Sequence, residues 1–457
     1  MDLKRFEGKN IALLGFGVEN ISVAKFLHKN GINFTILDRV AIEKLSEEAQ
    51  KVIITEKFEI RAGEDYLSGL DQFEVVVRSP GVPYLTKEIQ EAKKTGVEIT
   101  SSTKLFFDLC PAEIIGVTGT KGKGTTASLI SEILKTNSRS GKVYLVGNIG
   151  LPSFDIIEEV KSNDLVVFEL SSFQLQDMEK SPHIAVVVNL ADDHLDYHQT
   201  IEEYRATKQN ILKYQAEKDF AVINWDYTES RKLAEFGEAK KYYFSSKEKV
   251  SGAYVSESGD VFLNNSEEKK VCSQSELKLI GRHNLENIAS ASIVGDILGV
   301  PIEKISKAVR EFNGLPHRLE FVREVDGIKF YNDSFSTNPT PTIAAIKSFD
   351  LPITIILGGS EKGADFSQLA ETIKASNVAR IITIGIEGPR IRKALIDSGA
   401  NISVINGGNS IGTIAQTAAK NTESGGVVLF SPACASFDMF KNYKDRGEKF
   451  AAAVNNL

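Results

Sequence analysis

The stretch that decides the fold is residues 116–126, which reads GVTGTKGKGTT. It follows an apolar run that predicts a strand at residues 112–117, and a helical pattern comes directly after it. Backbone N–H groups in such a loop can cradle phosphate at a helix N-terminus, and Lys123 would face that phosphate. A flexible glycine turn is the alternative, but glycines combined with two lysines and several threonines favour phosphate binding.

The loop departs from the generic P-loop pattern in two places. Val117 stands where that pattern has its first glycine, and Gly124 stands where a serine or threonine normally follows the lysine. A magnesium-binding hydroxyl would therefore come from Thr125 or Thr126, and the sequence leaves both open.

Two more strand ends carry polar side chains. Glu169 ends the apolar run LVVFE, and Asp192-Asp193-His194 follows AVVVNL. Because the carboxyl ends of parallel strands meet at one sheet edge, we expect Lys123, Glu169 and His194 to lie near each other and to suit Mg²⁺ with phosphates. Taken singly, Glu169 could cap the next helix and the acidic loop could be solvated.

The first hundred residues predict a βαβ unit, with strands at 10–14 and 33–37 and a helix at about 20–30. Gly15-Phe-Gly17 follows the first strand and Asp38 ends the second, as in a dinucleotide-binding fingerprint, but Asn20 replaces the third glycine. This weakens the case for NAD and makes a nucleotide or nucleotide-sugar site easier to defend. Further strands are expected at 74–77 and 98–100, with a turn at 79–83 between them.

The remaining pattern predicts an α/β protein of three domains. Strands at 112–117, 164–168 and 185–190 belong to a central parallel sheet, residues 239–270 form a solvated β excursion, and strands at 353–357, 380–384 and 426–430 restart the βα rhythm. We place the domains at residues 1–107, 108–313 and 314–457, with Asn313-Gly314 and Pro316 as the second hinge.

Composition excludes several classes of protein. Of 457 residues, 42% are hydrophobic and 25% charged, with 54 Lys and Arg against 61 Asp and Glu, so a disordered chain and a general nucleic-acid or membrane binder do not fit. Three scattered cysteines indicate neither disulfides nor a zinc site. The start MDLKRFEGKN has no signal-peptide pattern, so we expect a cytoplasmic protein.

With these residues in view, the chain resembles the Mur ligases along nearly its whole length, and the last two of its shared motifs point to the branch that adds D-glutamate. Several others are shared with the folylpolyglutamate synthases. The motifs are GVTGTKGKGTT, Asn148-Ile-Gly150, FELSSFQL, NLADDHLD, YRATK ending at Lys208, GRHNLEN, GLPHR ending at Arg318, NDSFSTNP, GGSEKGADF and SPACASFDMFKNYKDRG.

The resemblance implies three domains: a Rossmann-like domain for the UDP moiety, a central P-loop-type ATPase, and a Rossmann-like C-terminal domain for the amino acid. It implies ATP-dependent addition of D-glutamate to UDP-N-acetylmuramoyl-L-alanine by a monomer, with Mg²⁺ (two ions expected) and a carbamylated Lys208. The same resemblance implies that Lys123, His194 and Lys208 are catalytic. On its own, Lys208 would be assigned to an exposed helical face.

The residue roles carried over by motif form four groups. Those expected to bind ATP are Gly119, Thr120, Lys121, Gly122, Lys123, Gly124, Thr125, Thr126, Asn284, Asn287, Arg318 and Asp333. Those expected to bind metal are Thr125, Glu169, His194 and Lys208. Those expected to bind the UDP substrate are Gly17, Val18, Asp38, Arg39, Ser79, Pro80, Gly81 and Asn148. Those expected to bind the amino acid are Thr337, Lys362, Ser436 and the backbone of Tyr443.

Three departures keep alternatives open. Phe335 stands where the D-glutamate branch usually has lysine, so addition of L-glutamate or of another amino acid is an alternative. Gly124-Thr125 is similar to the loop of the folylpolyglutamate synthases, although such synthases lack the N-terminal nucleotide-like domain. Arg39 replaces a small hydroxyl residue at the uridine site. An NAD-dependent dehydrogenase and an inactive nucleotide-sugar-binding protein are alternatives from other classes.

Overall fold

The computed structural model of the chain describes residues 3–137, 141–190, 200–361 and 363–457. The strands form three sheets of five, nine and six strands, so the fold is a three-domain α/β fold with mostly parallel sheets. Two compact units are present, residues 1–274 with 285–309 and residues 275–284 with 310–457. The first unit contains the first two sheets and the second unit contains the third. The domain boundaries at residues 107 and 313 stay predictions.

The first sheet is entirely parallel, with the strand order β3-β2-β1-β4-β5. Its central strands are buried throughout, which explains their continuous runs of Ile, Leu and Val. The strands are β1 (Ile11–Leu14), β2 (Thr35–Asp38), β3 (Glu59–Ala62), β4 (Val75–Arg78) and β5 (Glu98–Ser101). The helices are α1 (Val18–Lys29), α2 (Glu47–Glu56), α3 (Lys87–Lys94) and α4 (Ser102–Leu109).

The second sheet has the order β14-β13-β12-β11-β10-β9-β6-β8-β7, and only β13 runs opposite to the other strands, because its pairings with β12 and β14 are both antiparallel. Its strands are β6 (Glu113–Thr118), β7 (Val143–Gly147), β8 (Leu165–Glu169), β9 (Ile184–Val187), β10 (Phe220–Asn224), β11 (Lys240–Ser245), β12 (Gly252–Val255), β13 (Asp260–Asn264) and β14 (Glu268–Ser273). Its helices are α5 (Lys123–Lys135), α6 (Ser153–Ile156), α7 (Ser172–Leu175), α8 (Ile201–Lys213), α9 (Thr228–Lys232), α10 (His283–Ile297) and α11 (Ile302–Glu311).

The stretch 239–270 corrects one expectation. Its short strands are confirmed, but they do not form a separate solvated excursion, because β11 pairs with β10 and the strands continue the central sheet. Val261 and Leu263 are buried while Phe262 between them is only half-buried. Alternating burial of this kind is what a sheet with one covered face requires.

The third sheet has the order β15-β16-β20-β17-β18-β19, and only β15 is antiparallel. Its strands are β15 (Glu320–Val325), β16 (Ile328–Asn332), β17 (Ile353–Gly358), β18 (Val378–Ile384), β19 (Ser403–Asn406) and β20 (Val427–Phe430). Its helices are α12 (Pro339–Ile346), α13 (Ser367–Lys374), α14 (Gly388–Asp397), α15 (Ile411–Lys420) and α16 (Tyr443–Asn455).

Within the first unit, the first two sheets share one apolar core. Phe106 packs edge-on against Phe168 with ring centroids 5.6 Å apart, and Phe26 contacts Phe154 at 5.1 Å. The predicted strands of both sheets are confirmed to within a few residues. The one predicted at 185–190 ends early, at Val187, and the site explains why. In the described ranges, no helix has both the length and the hydropathy needed to span a bilayer.

Candidate active site

The loop between β6 and α5 has the shape that phosphate binding requires. Gly122 adopts a φ of +83°, and a Cβ atom there would lie 2.6 Å from Asn287 Oδ1. Only glycine fits such a position, because the left-handed backbone and the close amide both exclude a side chain. The helix then begins at Lys123, so its first N–H groups adjoin the loop.

Two residues that the sequence analysis did not single out hold this loop in place. Asn189 accepts hydrogen bonds from Thr120 N at its carbonyl (2.8 Å) and from Lys121 N at Oδ1 (2.9 Å). Tyr204 Oη lies 3.0 Å from Thr120 Oγ1. The backbone carbonyl of Asn189 bonds to the loop, so this residue lies outside the β9 ladder and the strand ends at Val187. Two features of the sequence could have indicated them. Asn189 lies two residues past the end of β9, and Tyr204 lies one helical turn before Lys208.

The two lysines of the site converge on one backbone oxygen. Lys123 Nζ donates to the carbonyl oxygens of Gly119 (3.0 Å) and Thr120 (3.1 Å). Lys208 Nζ donates to the same Gly119 oxygen (3.0 Å) and to Thr118 Oγ1 (2.9 Å). Lys208 is only 1% exposed, so its assignment to an exposed charged face, made from the helix pattern alone, is wrong. Both side chains therefore meet at the loop between β6 and α5.

The two threonines of α5 differ in their partners. Thr126 Oγ1 donates to Asn287 Oδ1 at 3.1 Å and is fully buried, so this hydroxyl ties α5 to α10. Thr125 is 7% exposed, and no hydrogen bond of its hydroxyl to another described residue is recorded. The geometry therefore favours Thr125 over Thr126 as the hydroxyl open to a ligand.

Glu169 lies at the carboxyl end of β8, directly opposite Val117 of β6 in the register. Its carboxylate thus belongs to the same sheet edge as the phosphate loop, and a carboxylate with a hydroxyl is an oxygen donor set that suits Mg²⁺. Asp192, Asp193 and His194 lie outside the described residues. Among the described ones, His, Cys, Asp and Glu form no group of three or more that could hold a metal.

At the edge of the first sheet, a carboxylate and an amide organise the loops. Asp38 accepts hydrogen bonds from Phe16 N (2.7 Å) and Val40 N (3.0 Å). Asn20 Nδ2 lies within bonding distance of the carbonyl oxygens of Gly15 (2.9 Å) and Val77 (3.1 Å). Asn20 replaces the expected third glycine because its amide ties the β1 loop to strand β4.

The other predicted substrate residues lie around these loops. Gly15 is in the left-handed region, and a Cβ there would meet Val82 at 2.9 Å, which brings the β1 loop against the predicted 79–83 turn. Val82 N donates to Ser79 O at 3.0 Å, which confirms the turn. The predicted substrate residues in and beside the two loops are Gly17, Val18, Arg39, Ser79, Pro80 and Gly81, all partly or fully exposed.

A buried ion pair fixes the β4 loop to the second sheet's domain. Arg78 Nη2 lies 3.2 Å from Asp177 Oδ1, and both side chains are 2% exposed or less. Arg78 also donates to Val82 O (2.7 Å) and Phe173 O (3.3 Å). One guanidinium therefore links the β4 loop to the segment that follows Glu169.

In the second unit, Asp333 is the centre of a buried network. Its carboxylate accepts hydrogen bonds from Ser336 Oγ (2.6 Å), Ser431 Oγ (2.7 Å) and Leu319 N (3.1 Å). Burial raises the pKa of Asp333 to about 6, although these hydrogen bonds oppose the shift. The motifs NDSFSTNP and SPACASF are thereby joined at the end of the third sheet.

Arg446 makes a second connection between those motifs. Its guanidinium donates to Ser334 O (2.8 Å), Cys434 O (3.0 Å) and Ala435 O (3.1 Å), and burial lowers its pKa to about 10. Ser334 Oγ in turn donates to Tyr443 O at 2.8 Å. These contacts hold the loops that carry three predicted amino-acid ligands, Thr337, Ser436 and Tyr443. The fourth, Lys362, lies outside the described residues.

Phe335 has a partner that explains its presence. The Arg318 guanidinium carbon lies 4.5 Å from the Phe335 ring centroid, and the Tyr443 ring packs edge-on at 5.1 Å. Phe335 thus offers an aromatic face to a residue that the motifs assign to ATP. Asn284, also assigned to ATP, donates to Ile280 O at 2.7 Å.

Comparison with known proteins identifies the family. The chain is 39% identical to a UDP-N-acetylmuramoylalanine--D-glutamate ligase of Acetivibrio thermocellus, over 99% of this chain and 98% of that protein. A ligase of the same name from Clostridium tetani is also 39% identical, over 100% of this chain and 99% of that one. The chain belongs to the Mur ligase family.

Three family models match along this Mur ligase: the MurD-like N-terminal domain at 9–101, the middle domain at 117–295 and the glutamate ligase domain at 317–434. Solved structures agree on the fold. UDP-N-acetylmuramate-alanine ligase MurC from Thermotoga maritima gives a TM-score of 0.60 at 18% identity, over 98% of this chain and 99% of that one. MurF from Thermotoga maritima in complex with ADP gives 0.55 at 18% identity, over 98% and 94%.

Proposed function

We propose that this Mur ligase adds D-glutamate to UDP-N-acetylmuramoyl-L-alanine, using ATP and passing through an acyl phosphate, in peptidoglycan precursor synthesis. The observation that carries the proposal is the 39% identity along the whole chain to ligases named for this reaction. The loop between β6 and α5, with Lys123 at the start of the helix, supports the use of a nucleoside triphosphate.

In the first step, the alanyl carboxylate attacks the γ-phosphorus of ATP, the β–γ bridging P–O bond breaks, and ADP leaves. Lys123 stabilises the charge on the transferring oxygens, and the N–H groups at the start of α5 bind the adjacent phosphates. Thr125, Glu169 and His194 are the side chains that would hold Mg²⁺, which neutralises charge on the phosphate oxygens when bound.

We further propose that Lys208 is carbamylated in the active protein. Its Nζ and that of Lys123 both bond to the Gly119 oxygen, so as ammonium groups the two would place like charges around one atom. Addition of the neutral Lys208 amine to carbon dioxide, with loss of one proton to solvent, would form a carbamate. Lys208 would then be an anionic oxygen donor, which suits magnesium better than an ammonium group does.

In the second step, the amine of D-glutamate attacks the acyl carbon, the amine loses a proton, and inorganic phosphate leaves. Thr337, Lys362, Ser436 and the Tyr443 backbone are the groups that we propose to hold its two carboxylates. Arg318, with Asn284, Asn287 and Asp333, is proposed to orient ATP. UDP-substrate contacts are proposed at the loops around Asp38 and at Asn148. We also expect a cytoplasmic monomer.

Addition of L-glutamate is the second candidate, because Phe335 removes a cation from the neighbourhood of Thr337. The deciding experiment crosses UDP-N-acetylmuramoyl acceptors and a folate acceptor with D- and L-amino acids, and measures phosphate release. We expect release only when UDP-N-acetylmuramoyl-L-alanine and D-glutamate are both present. Preference for L-glutamate would reject the stereochemical assignment, and release only with the folate acceptor would reject the acceptor.

A further inference from the structure

A chain of hydrogen bonds joins the first helix to the exposed residue Asn148. Gln174 Nε2 donates to Glu19 Oε1 at 2.7 Å, and Asn148 Nδ2 donates to Gln174 Oε1 at 3.4 Å. Glu19 lies in the first turn of α1, directly after Val18, whereas Asn148 and Gln174 follow strands of the second sheet. These hydrogen bonds therefore connect the start of α1, next to Val18, with Asn148, and the motifs assign both Val18 and Asn148 to the UDP substrate.

The direction of each bond in this chain is set by chemistry. A carboxylate oxygen of Glu19 accepts, so Gln174 must turn its NH₂ group toward Glu19 and its oxygen away. That oxygen also accepts from Ser171 N (2.9 Å) and Ser171 Oγ (3.0 Å), which fixes the same orientation. Asn148 must then donate to Gln174 through Nδ2, which leaves Asn148 Oδ1 as the group directed elsewhere.

The surroundings of Glu19 hold its carboxylate in place. Its other oxygen, Oε2, accepts a short hydrogen bond from Ser102 Oγ. Burial raises the pKa of Glu19, while the hydrogen bonds from Ser102 and Gln174 and the nearby Arg78 oppose that shift. Hydrogen bonds to both oxygens therefore fix the orientation of the Glu19 carboxylate.

We propose that Glu19 is a positioning residue that acts through Gln174 to make Asn148 present a carbonyl oxygen, and hence accept a hydrogen bond from an N–H or O–H donor of the nucleotide-sugar substrate. This inference rests on the proposed function. It adds Glu19 to the residues that shape the substrate site, and it states that Asn148 accepts, rather than donates, the hydrogen bond to the substrate. Glu19 itself does not touch the substrate in this scheme.

The test is a double-mutant cycle between Glu19→Met and Asn148→Ala, read as KM and kcat for the UDP-linked acceptor. Methionine keeps the length of the side chain but removes both acceptors. We expect Glu19→Met to raise the acceptor KM by about tenfold, with the KM for D-glutamate within about twofold of the wild-type value. In the Asn148→Ala background, Glu19→Met should change the acceptor KM by less than about twofold.

Two further variants separate orientation from packing. Glu19→Gln should keep the acceptor KM within about threefold, because its carbonyl can face Gln174 while its amide faces Ser102. Asp155→Asn is the matched control, since Asp155 accepts a hydrogen bond from Ser22 of the same helix at 2.5 Å without reaching Asn148. It should leave the acceptor KM unchanged. If Glu19→Met does not fold, Gln174→Met breaks the same chain and replaces it in the cycle.

The outcomes distinguish this inference from the function on which it rests. If the wild-type protein does not release phosphate with the UDP-linked acceptor, the proposed function fails. If the wild-type protein is active and the effects of Glu19→Met and Asn148→Ala multiply, Glu19 does not act through Asn148 and the inference fails. An equal rise of the acceptor KM in Glu19→Gln and Glu19→Met would also overturn the inference.

Discussion

Replacing Thr125 and Thr126 by valine, one at a time, separates two roles that the sequence cannot tell apart. Valine keeps the shape and the β-branch of threonine and removes only the hydroxyl. The two hydroxyls differ in the structure. That of Thr126 donates to Asn287 Oδ1 at 3.1 Å, whereas that of Thr125 makes no hydrogen bond to another of the described residues. We therefore expect Thr125→Val to impair magnesium binding and Thr126→Val to impair stability.

The expected magnitudes follow from these contacts. Loss of the buried Thr126 hydrogen bond should cost about 1 kcal/mol of the free energy of unfolding, or a decrease of about 2 °C in Tm for a unit of this size. Thr125→Val buries a methyl group in place of a hydroxyl, so its Tm should change by less than that. The magnesium concentration needed for half-maximal activity should rise by about 10–100-fold in Thr125→Val.

The assay is phosphate release titrated with Mg²⁺, together with thermal unfolding of each variant. A Thr125→Ser variant is the control, because it restores the hydroxyl and should recover most of the magnesium response. The reasoning is refuted if Thr126→Val shifts the magnesium titration and Thr125→Val does not, or if neither variant shifts it.

Four further predictions follow from the two units. Lys123→Ala should lower kcat for phosphate release by about 100-fold or more while the Tm stays near that of the wild type, and near-normal turnover would reject its role. Lys208→Ala should lose activity and regain part of it with added short carboxylic acids; full activity without them would remove Lys208 from the mechanism. Phe335→Lys should lower the KM for D-glutamate but raise the KM for ATP about two- to fivefold, because Arg318 loses an aromatic face worth about 0.5–1 kcal/mol, and an unchanged KM for ATP would contradict that contact. The pKa of Asp333 is raised from 3.8 to about 6, so between these pH values the folded protein holds a proton on Asp333 that the unfolded protein has lost. The stability of the second unit should therefore fall as the pH rises from about 4 to 6. Asp333→Asn should flatten that slope in thermal unfolding at pH 4, 5, 6 and 7, and an unaltered slope would assign it to another group.

The conformation of the loop between β6 and α5 could be predicted from the sequence because it depends on neighbouring residues. Gly122 carries the left-handed turn and Lys123 begins the helix, so the loop and the helix start can be read from a dozen consecutive residues. The same holds for the strands, whose apolar runs reflect burial on both faces of a parallel sheet.

The residues that support the loop could not be found this way. Asn189 reaches it from the segment after strand β9 and Tyr204 from helix α8, and neither has a motif of its own. The helix pattern alone predicts an exposed Lys208 for a related reason. Its neighbours in α8 include charged residues, and only the packing of α8 against the loop shows that this one lysine is buried.

Asn20 shows most clearly why a motif identifies a site but not the residues that build it. Judged against a dinucleotide fingerprint, an asparagine at the third position is a defect, since glycine there allows close packing of helix and strand. In this chain the Asn20 amide bonds to the carbonyls of Gly15 and Val77, and so joins the β1 loop to strand β4, which the fingerprint does not include. The Arg78–Asp177 pair then fixes the end of that strand to the segment that follows Glu169. A replacement that weakens a pattern can therefore strengthen a site, because the geometry of a ligand site depends on bonds between loops as well as on the residues within each one.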